Sequence, residues 1–165
     1  MAGLRLSRSV AGALATALLL SGLVALPARA GSNGPWATVN ICDTARHPNT
    51  IGLRAAVPGD GKHHSMWVRL TVQFASGGSW KALANGGRTG FIAAGSSLKR
   101  SRQVGASFHF APASGTTYTL RGVAEFEWRQ GKRVVKHARA TTKSGVAGVS
   151  GGDPAGYSAS TCEIF

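Results

Sequence analysis

Few side chains in this sequence are arranged for catalysis, and one serine motif is the clearest candidate. Residues 148–152 (Gly-Val-Ser-Gly-Gly) fit the pattern G-x-S-x-G, in which a strained turn between a strand and a helix exposes a nucleophilic serine. Glycines and Pro154 follow Ser150 and oppose a helix there, and the last histidine, His137, precedes the serine. Because hydrolases need the helix and a later histidine, we predict that Ser150 is an ordinary loop residue.

Carboxylate pairs, which general acid and base catalysis needs, are scarce. Glu125 and Glu127 are two residues apart in an alternating segment, so both side chains point to the same side of one strand. A glycosidase instead needs two carboxylates that face each other across its substrate. We therefore expect both glutamates to pair with Arg133 and its neighbours across a strand pair. The sequence predicts no catalytic residue and no enzyme activity.

Two adjacent histidines offer the best metal ligands. His63 and His64 follow Asp60 and precede Met66, and imidazole and thioether groups suit copper, while imidazole suits zinc. Adjacent side chains in a strand diverge, and Met66 belongs to an apolar stripe, so three convergent ligands are not evident. The alternative is a polar turn followed by a core methionine. His63 and His64 remain candidates for an exported copper or zinc accessory protein, and no cofactor is otherwise expected.

Positive charge is the strongest quantitative feature. The chain has 165 residues, with 19 lysines and arginines against 6 aspartates and glutamates, and a formal net charge of +13. If the strands alternate, Arg133, His137 and Arg139 share one face. The candidate anion-binding residues lie in two basic clusters: Lys99, Arg100, Arg102, Arg133, His137 and Arg139.

A basic face of this kind can hold the phosphates or carboxylates of nucleic acid, anionic wall polymer or lipid headgroups. Trp67, Trp80 and Trp128 add stacking if they are exposed. The alternative is a solvated surface that keeps an exported protein soluble and discourages pairing of strand edges. Since no base-reading module is present, we expect weak attraction to polyanions and no specific nucleic-acid function.

The first 30 residues differ in composition from the rest. Arg5 and Arg8 precede an apolar run at 10–26, and Ala-Arg-Ala at 28–30 completes the pattern of a cleaved secretory signal peptide. The alternative, a permanent membrane anchor, is disfavoured because the run is short and lacks a stop-transfer charge cluster. We expect no membrane span after cleavage.

Residues 31–165 then form one domain, which keeps 16 of the basic residues and all 6 acidic ones because the leader contains three arginines. Cys42 and Cys162 lie near its two ends. Export favours a disulfide between them, worth roughly 4–5 kcal/mol by chain entropy. Two buried free thiols or a shared metal are the alternatives. We expect a monomer.

The domain shows period-two alternation and almost no helix signal. Between Met66 and Phe74, and between Tyr118 and Trp128, every second residue is apolar or glycine. Turn signals every eight to twelve residues separate seven or eight short strands, which predicts two antiparallel sheets packed face to face. The predicted strands are 36–43, 51–57, 66–74, 80–83, 103–110, 118–128, the return strand of the next hairpin, and 157–164, while 91–98 is ambiguous.

That hairpin is predicted to turn through a three-residue loop, 129–131, with Gly131 in the left-handed conformation. The resulting register places Phe126 opposite Val134 and Glu127 opposite Arg133. It also keeps Val134, Ala138 and Ala140 on the buried face, which favours it over a two-residue loop that would bury a histidine.

Residues 153–157 (Asp-Pro-Ala-Gly-Tyr) are similar to the D-x-A-x-Y tyrosine corner of immunoglobulin domains. With the strand pattern over 36–165, the chain resembles an immunoglobulin or fibronectin type III-like sandwich of short secreted bacterial proteins. Ala159 stands where immunoglobulin domains have their cysteine, and Trp67 lies opposite the apolar stripe. The resemblance implies an all-β sandwich without specifying an activity. We expect a secreted, non-catalytic binding domain of the cell envelope or exterior.

Overall fold

The computed structural model describes residues 34–165, which form an all-β structure. The signal peptide predicted at 1–30 lies outside the described residues. In the described part of the chain, no helix is long and apolar enough to cross a membrane. The strands are β1 (Trp36–Thr44), β2 (His47–Val57), β3 (Ser65–Ser76), β4 (Ser79–Ala82), β5 (Ile92–Ser96), β6 (Arg102–His109), β7 (Tyr118–Gln130), β8 (Arg133–Thr141) and β9 (Cys162–Ile164).

The strands form two antiparallel sheets, which confirms the predicted architecture. Sheet A has the order β1-β2-β6, and sheet B has the order β4-β3-β7-β8, with β5 paired to β3 and β9 paired to β7. The strand count is nine among residues 34–165, more than predicted. The ambiguous segment 91–98 contains β5, while the last predicted strand, 157–164, is shortened to β9, because Ala159 exchanges backbone hydrogen bonds with Val39 of β1 instead.

Alternation in the two longest strands builds the core between the sheets. Val68 and Leu70 of β3, and Phe126 and Trp128 of β7, are all 0% exposed. Burying one such side chain contributes about 1.5–3 kcal/mol, so these strands carry much of the stability. Gly122 lets sheet A approach sheet B, since a Cβ there would lie 2.6 Å from a Leu53 methyl.

The predicted disulfide is confirmed. Cys42 at the end of β1 is bonded to Cys162 of β9, with Cα atoms 5.4 Å apart and a sequence separation of 120. It therefore fastens sheet A to sheet B. Such a bond is typical of proteins that fold in an oxidising, extracellular environment.

A glycine-rich segment, residues 143–159, crosses the outer face of sheet A and is called the cover here. Thr38 Oγ1 donates to the carbonyl of Lys143 at 2.7 Å, and Asn40 Nδ2 donates to that of Gly151 at 2.6 Å. Both outward side chains are buried, at 0% and 2% exposed. The cover thus hides the outer face of β1 and Ala56 of β2, whereas Gln103, Ser107 and His109 on the outer face of β6 remain exposed.

The β7–β8 hairpin corrects the predicted register. Its loop has two residues, 131 and 132, and Gly131 is left-handed as predicted, with φ of 61°. Phe126 pairs with Ala138 instead of Val134, because the loop lies later in the sequence than the predicted 129–131, and a bulge between Val134 and Lys136 adds one further residue to β8. Ala138 and Ala140 are partly buried against the core, as predicted. Val134, which was also predicted to face the core, is 43% exposed, and the predicted loop length was wrong.

Candidate functional site

The structure separates the six predicted anion-binding residues into two groups. Glu127 pairs with His137 instead of Arg133, and Arg133 lies beside the loop, donating to Gln130 Oε1 at 3.3 Å. His137 and Arg139 lie on the outer face of sheet B. The predicted shared face of Arg133, His137 and Arg139 is therefore wrong, because the bulge separates the first from the other two.

Arg133 belongs instead to the end of the sandwich formed by residues 58–64, 97–102 and 130–136, called the hairpin end here. Trp128 Nε1 donates to the Pro58 carbonyl at 2.9 Å, and the Gly59 amide donates to the Arg100 carbonyl at 3.3 Å. Arg102 pairs with the last residue of β2. These contacts bring three segments from distant parts of the sequence to one end.

The hairpin end carries many cations and a single carboxylate. Seven exposed basic side chains lie there, none in an ion pair within residues 34–165: Lys62, Lys99, Arg100, Arg102, Lys132, Arg133 and Lys136. Asp60 is the carboxylate, and His64 Nδ1 lies 2.7 Å from its Oδ2. Burial would raise the pKa of Asp60, but hydrogen bonds from His64 and the Lys62 amide hold that pKa below its ordinary value.

The predicted metal ligands do not converge. Met66 is 0% exposed in the core, His64 is held by Asp60, and His63 is exposed. No three histidine, cysteine, aspartate or glutamate side chains within residues 34–165 are placed to hold a metal ion. Ser150 lies in the cover, where its hydroxyl donates to Gln103 Oε1 at 2.9 Å, a contact that fixes the cover to sheet A.

Aromatic rings on the outer face of sheet B are stacked under arginines. Arg129 lies 4.8 Å from the ring centres of both Trp67 and Phe91, and Arg121 lies 4.3 Å from Trp80. Trp128 is fully buried in the core. The tryptophans are therefore not the open stacking platform considered from the sequence, because arginines or core side chains already cover them.

Both glutamates of β7 pair with arginines of sheet B rather than with Arg133. Arg69 and Arg88 lie 2.5 Å and 3.3 Å from Glu125 Oε2, and Arg129 lies 2.5 Å from Glu127 Oε2. Burial would raise the pKa of Glu125, but the hydrogen bonds and charges of Arg69 and Arg88 outweigh it and lower that pKa. These glutamates balance charge on the sheet surface.

Sequence reasoning missed Arg69, Arg88 and Phe91 as site residues. Arg69 alternates with the apolar stripe of β3, which places it on the outer face, but nothing in its spacing predicts Glu125 as partner. Arg88 and Phe91 come from the segment between β4 and β5, which has no periodicity. The outer face of sheet B and the hairpin end are the two polar surfaces from which function can be argued. Neither a protein-family model nor a curated protein sequence matches this chain.

Proposed function

We propose that this protein is a secreted, non-catalytic binding domain that attaches to anionic polymers or surfaces through the hairpin end. One observation carries the proposal. Seven exposed lysines and arginines occupy three segments that contain one carboxylate, and His64 already binds that carboxylate. The cations therefore have no neighbouring charge to neutralise them.

An uncompensated group of cations attracts polyanions because binding releases the counterions condensed on the polymer. Solubility alone requires a net charge away from zero, but it does not require that charge to collect at one end. The acidic residues Asp43 and Glu163 are adjacent in sequence to the disulfide cysteines. They lie near the carboxyl end of β1, away from the hairpin end. This segregation supports a binding surface over a uniformly solvated one.

The same proposal includes an immunoglobulin or fibronectin type III-like identity for the sandwich and export by the leader at 1–30. The two antiparallel sheets support the first, as does partly buried Tyr157, whose amide donates to the Pro154 carbonyl at 2.9 Å. The disulfide supports the second, because such bonds persist in oxidising compartments. The domain acts as a monomer.

The test compares retention of the purified protein on immobilised polyphosphate and on a cation exchanger of matched charge density, over a salt series. Later elution from polyphosphate is expected. The triple variant Arg100→Ala, Arg102→Ala, Arg133→Ala should remove this excess and reduce the salt slope by roughly two to three units. Its control, Arg46→Ala, Lys81→Ala, Lys143→Ala, loses equal charge from exposed positions outside the hairpin end.

The control triple should keep the excess retention, because the hairpin end is intact. Equal elution of the unaltered protein from the two matrices would contradict the proposal. So would equal losses in the two triple variants, since retention would then depend on net charge alone.

A further inference from the structure

The outer face of sheet B contains a groove between β8 and the segment 83–91. Two cavities of about 250 Å³ and about 300 Å³ make up this groove. Glu125 and Arg139 line both cavities, so the two meet at this cross-strand pair. The groove is open to solvent and large enough for a small molecule or a short stretch of polymer.

Backbone hydrogen bonds fix the wall of the groove. The Val72 amide donates to the Gly87 carbonyl at 2.7 Å, and the Thr89 amide donates to the Leu70 carbonyl at 2.9 Å. Thr89 Oγ1 accepts the Leu70 amide at 3.0 Å. Since the wall is already ordered on β3, a ligand would not lose affinity by having to order it.

Arg139 and the exposed part of Arg88 offer hydrogen-bond donors to this groove. Glu125 is occupied by Arg69 and Arg88, although Arg139 is its direct cross-strand neighbour. Arg139 is exposed and has no carboxylate partner within residues 34–165, and the side chain of Arg88 is 51% exposed. Burial lowers the pKa of Arg121, and repulsion from the charge of Arg139 lowers it further. An anion placed at Arg139 would relieve this repulsion.

The groove favours a single carboxylate over a polymer of dense charge. A planar guanidinium matches a carboxylate with two parallel hydrogen bonds. The carboxylates of Glu125 and Glu127 would repel closely spaced phosphates, while an isolated anion at Arg139 avoids most of that repulsion. Phe91 and Leu83 line the two cavities and offer apolar surface to an uncharged body.

We propose that this groove binds a ligand with one carboxylate on a neutral body, anchored by two hydrogen bonds from Arg139 and one from Arg88. This site is separate from the hairpin end and does not depend on polyanion binding. A peptide C-terminus and a sugar acid both supply the required carboxylate chemistry.

The test titrates ¹⁵N-labelled protein with N-acetyl-alanyl-alanine and with glucuronic acid, followed by amide NMR. The neutral controls are the amide of the dipeptide and glucose. Saturable shifts are expected in β7 and β8 around Glu125 and Arg139 with one acid or both. The acid that binds more tightly identifies the source of the carboxylate. The neutral controls should leave these amides unshifted.

Variants separate the groove from the hairpin end. Arg139→Ala should weaken binding at least roughly tenfold, because a hydrogen bond to a charged group is lost. Arg139→Lys should restore only part of the affinity, since an ammonium group keeps the charge without the planar fork. Arg88→Ala should also weaken binding, whereas Arg133→Ala, which removes a cation of the hairpin end, should leave it unchanged. Thermal melting of each variant checks that the fold is retained.

Three results would overturn the groove site: no saturable shift with either acid, equal binding of acid and neutral control, or an equal loss in Arg133→Ala and Arg139→Ala. The last result would mean that the small acids bind at the hairpin end. If the polyphosphate test fails and the NMR titration succeeds, only the polyanion-binding proposal is rejected and the groove site stands.

Discussion

On sheet A, the outward side chains Thr38 and Asn40 are buried beneath the cover, whereas on sheet B the outward Arg88 and Arg139 are exposed. Both faces carry polar groups, but different parts of the molecule satisfy them. On sheet A, carbonyls and a hydroxyl of the cover bond the outward side chains. On sheet B, outward arginines instead contact glutamates and aromatic rings of the same sheet, or Phe91 of the segment between β4 and β5.

This difference indicates which face serves the fold and which is free for a ligand. A buried polar group must keep its partner, so the polar contacts of sheet A are structural. One atom departs from this rule: Arg54 Nε is the only buried side-chain nitrogen or oxygen of residues 34–165 without a hydrogen-bond partner. Burial also lowers the pKa of Arg54. On sheet B, solvent-exposed arginines can exchange water for a ligand without uncovering the core.

Removal of the disulfide should have the largest effect on this contrast. Cys162 follows the cover and bonds to β1, so Cys42→Ser with Cys162→Ser releases the cover at its carboxyl end. The free energy of unfolding should fall by up to roughly 4–5 kcal/mol, because the unfolded chain gains the entropy of a long loop. Denaturant unfolding measures the loss, and hydrogen exchange should accelerate in 143–159 more than in β3. A loss below about 1 kcal/mol, or uniform exchange, would contradict this account.

Two amide side chains, one on each face, offer a matched comparison of intermediate size. Asn40→Ala removes a buried side-chain donor to the Gly151 carbonyl and should cost about 1–3 kcal/mol of unfolding free energy. Gln73→Ala removes the acceptor 2.9 Å from Arg121 Nε on the half-buried outer face of sheet B, where water can replace it. Its cost should stay within about 0.5 kcal/mol. Chemical denaturation measures the loss of unfolding free energy in both variants. Equal losses would mean that polar contacts on the two faces contribute equally to stability.

Alternation predicted the strands and their faces because β3 and β7 are each buried on one side only. The disulfide followed from two cysteines in a chain with a predicted export signal. The hairpin register did not follow, because the loop at 131–132 and the bulge between Val134 and Lys136 change the pairing without a signal in the apolar pattern. The cover was not predicted as such, since its glycines carry no period and its contacts to Asn40 join residues 111 positions apart.

The candidate sites were predictable only in composition. The basic clusters around Lys99 and Arg133 are visible in the sequence, but their meeting at one end depends on the Pro58 and Arg100 contacts. Glu125 was assigned a neighbour on the adjacent hairpin strand, yet its partners are 56 and 37 residues away. Such pairs depend on how strands are ordered within a sheet, which local pattern does not specify.

The smallest expected effect concerns Glu125 and its arginines on sheet B. The pKa of Glu125 is lowered in the folded protein, so the ionised carboxylate stabilises the fold above the unfolded pKa of about 4.3. This stabilisation disappears as pH falls through the lower folded pKa. Glu125→Gln should therefore cost about 1 kcal/mol or less at neutral pH, because the pair is partly exposed, and nothing once the carboxylate is protonated.

Urea unfolding of the protein and of Glu125→Gln over an acidic pH series measures this difference. Glu163→Gln is the control, since the exposed Glu163 has no ion pair within residues 34–165. Its difference from the unaltered protein should stay near zero at every pH. If Glu125→Gln were equally neutral, Arg69 would hold its position by stacking on Phe91 rather than by its ion pair. The open face would then owe its order to aromatic contacts rather than to charge.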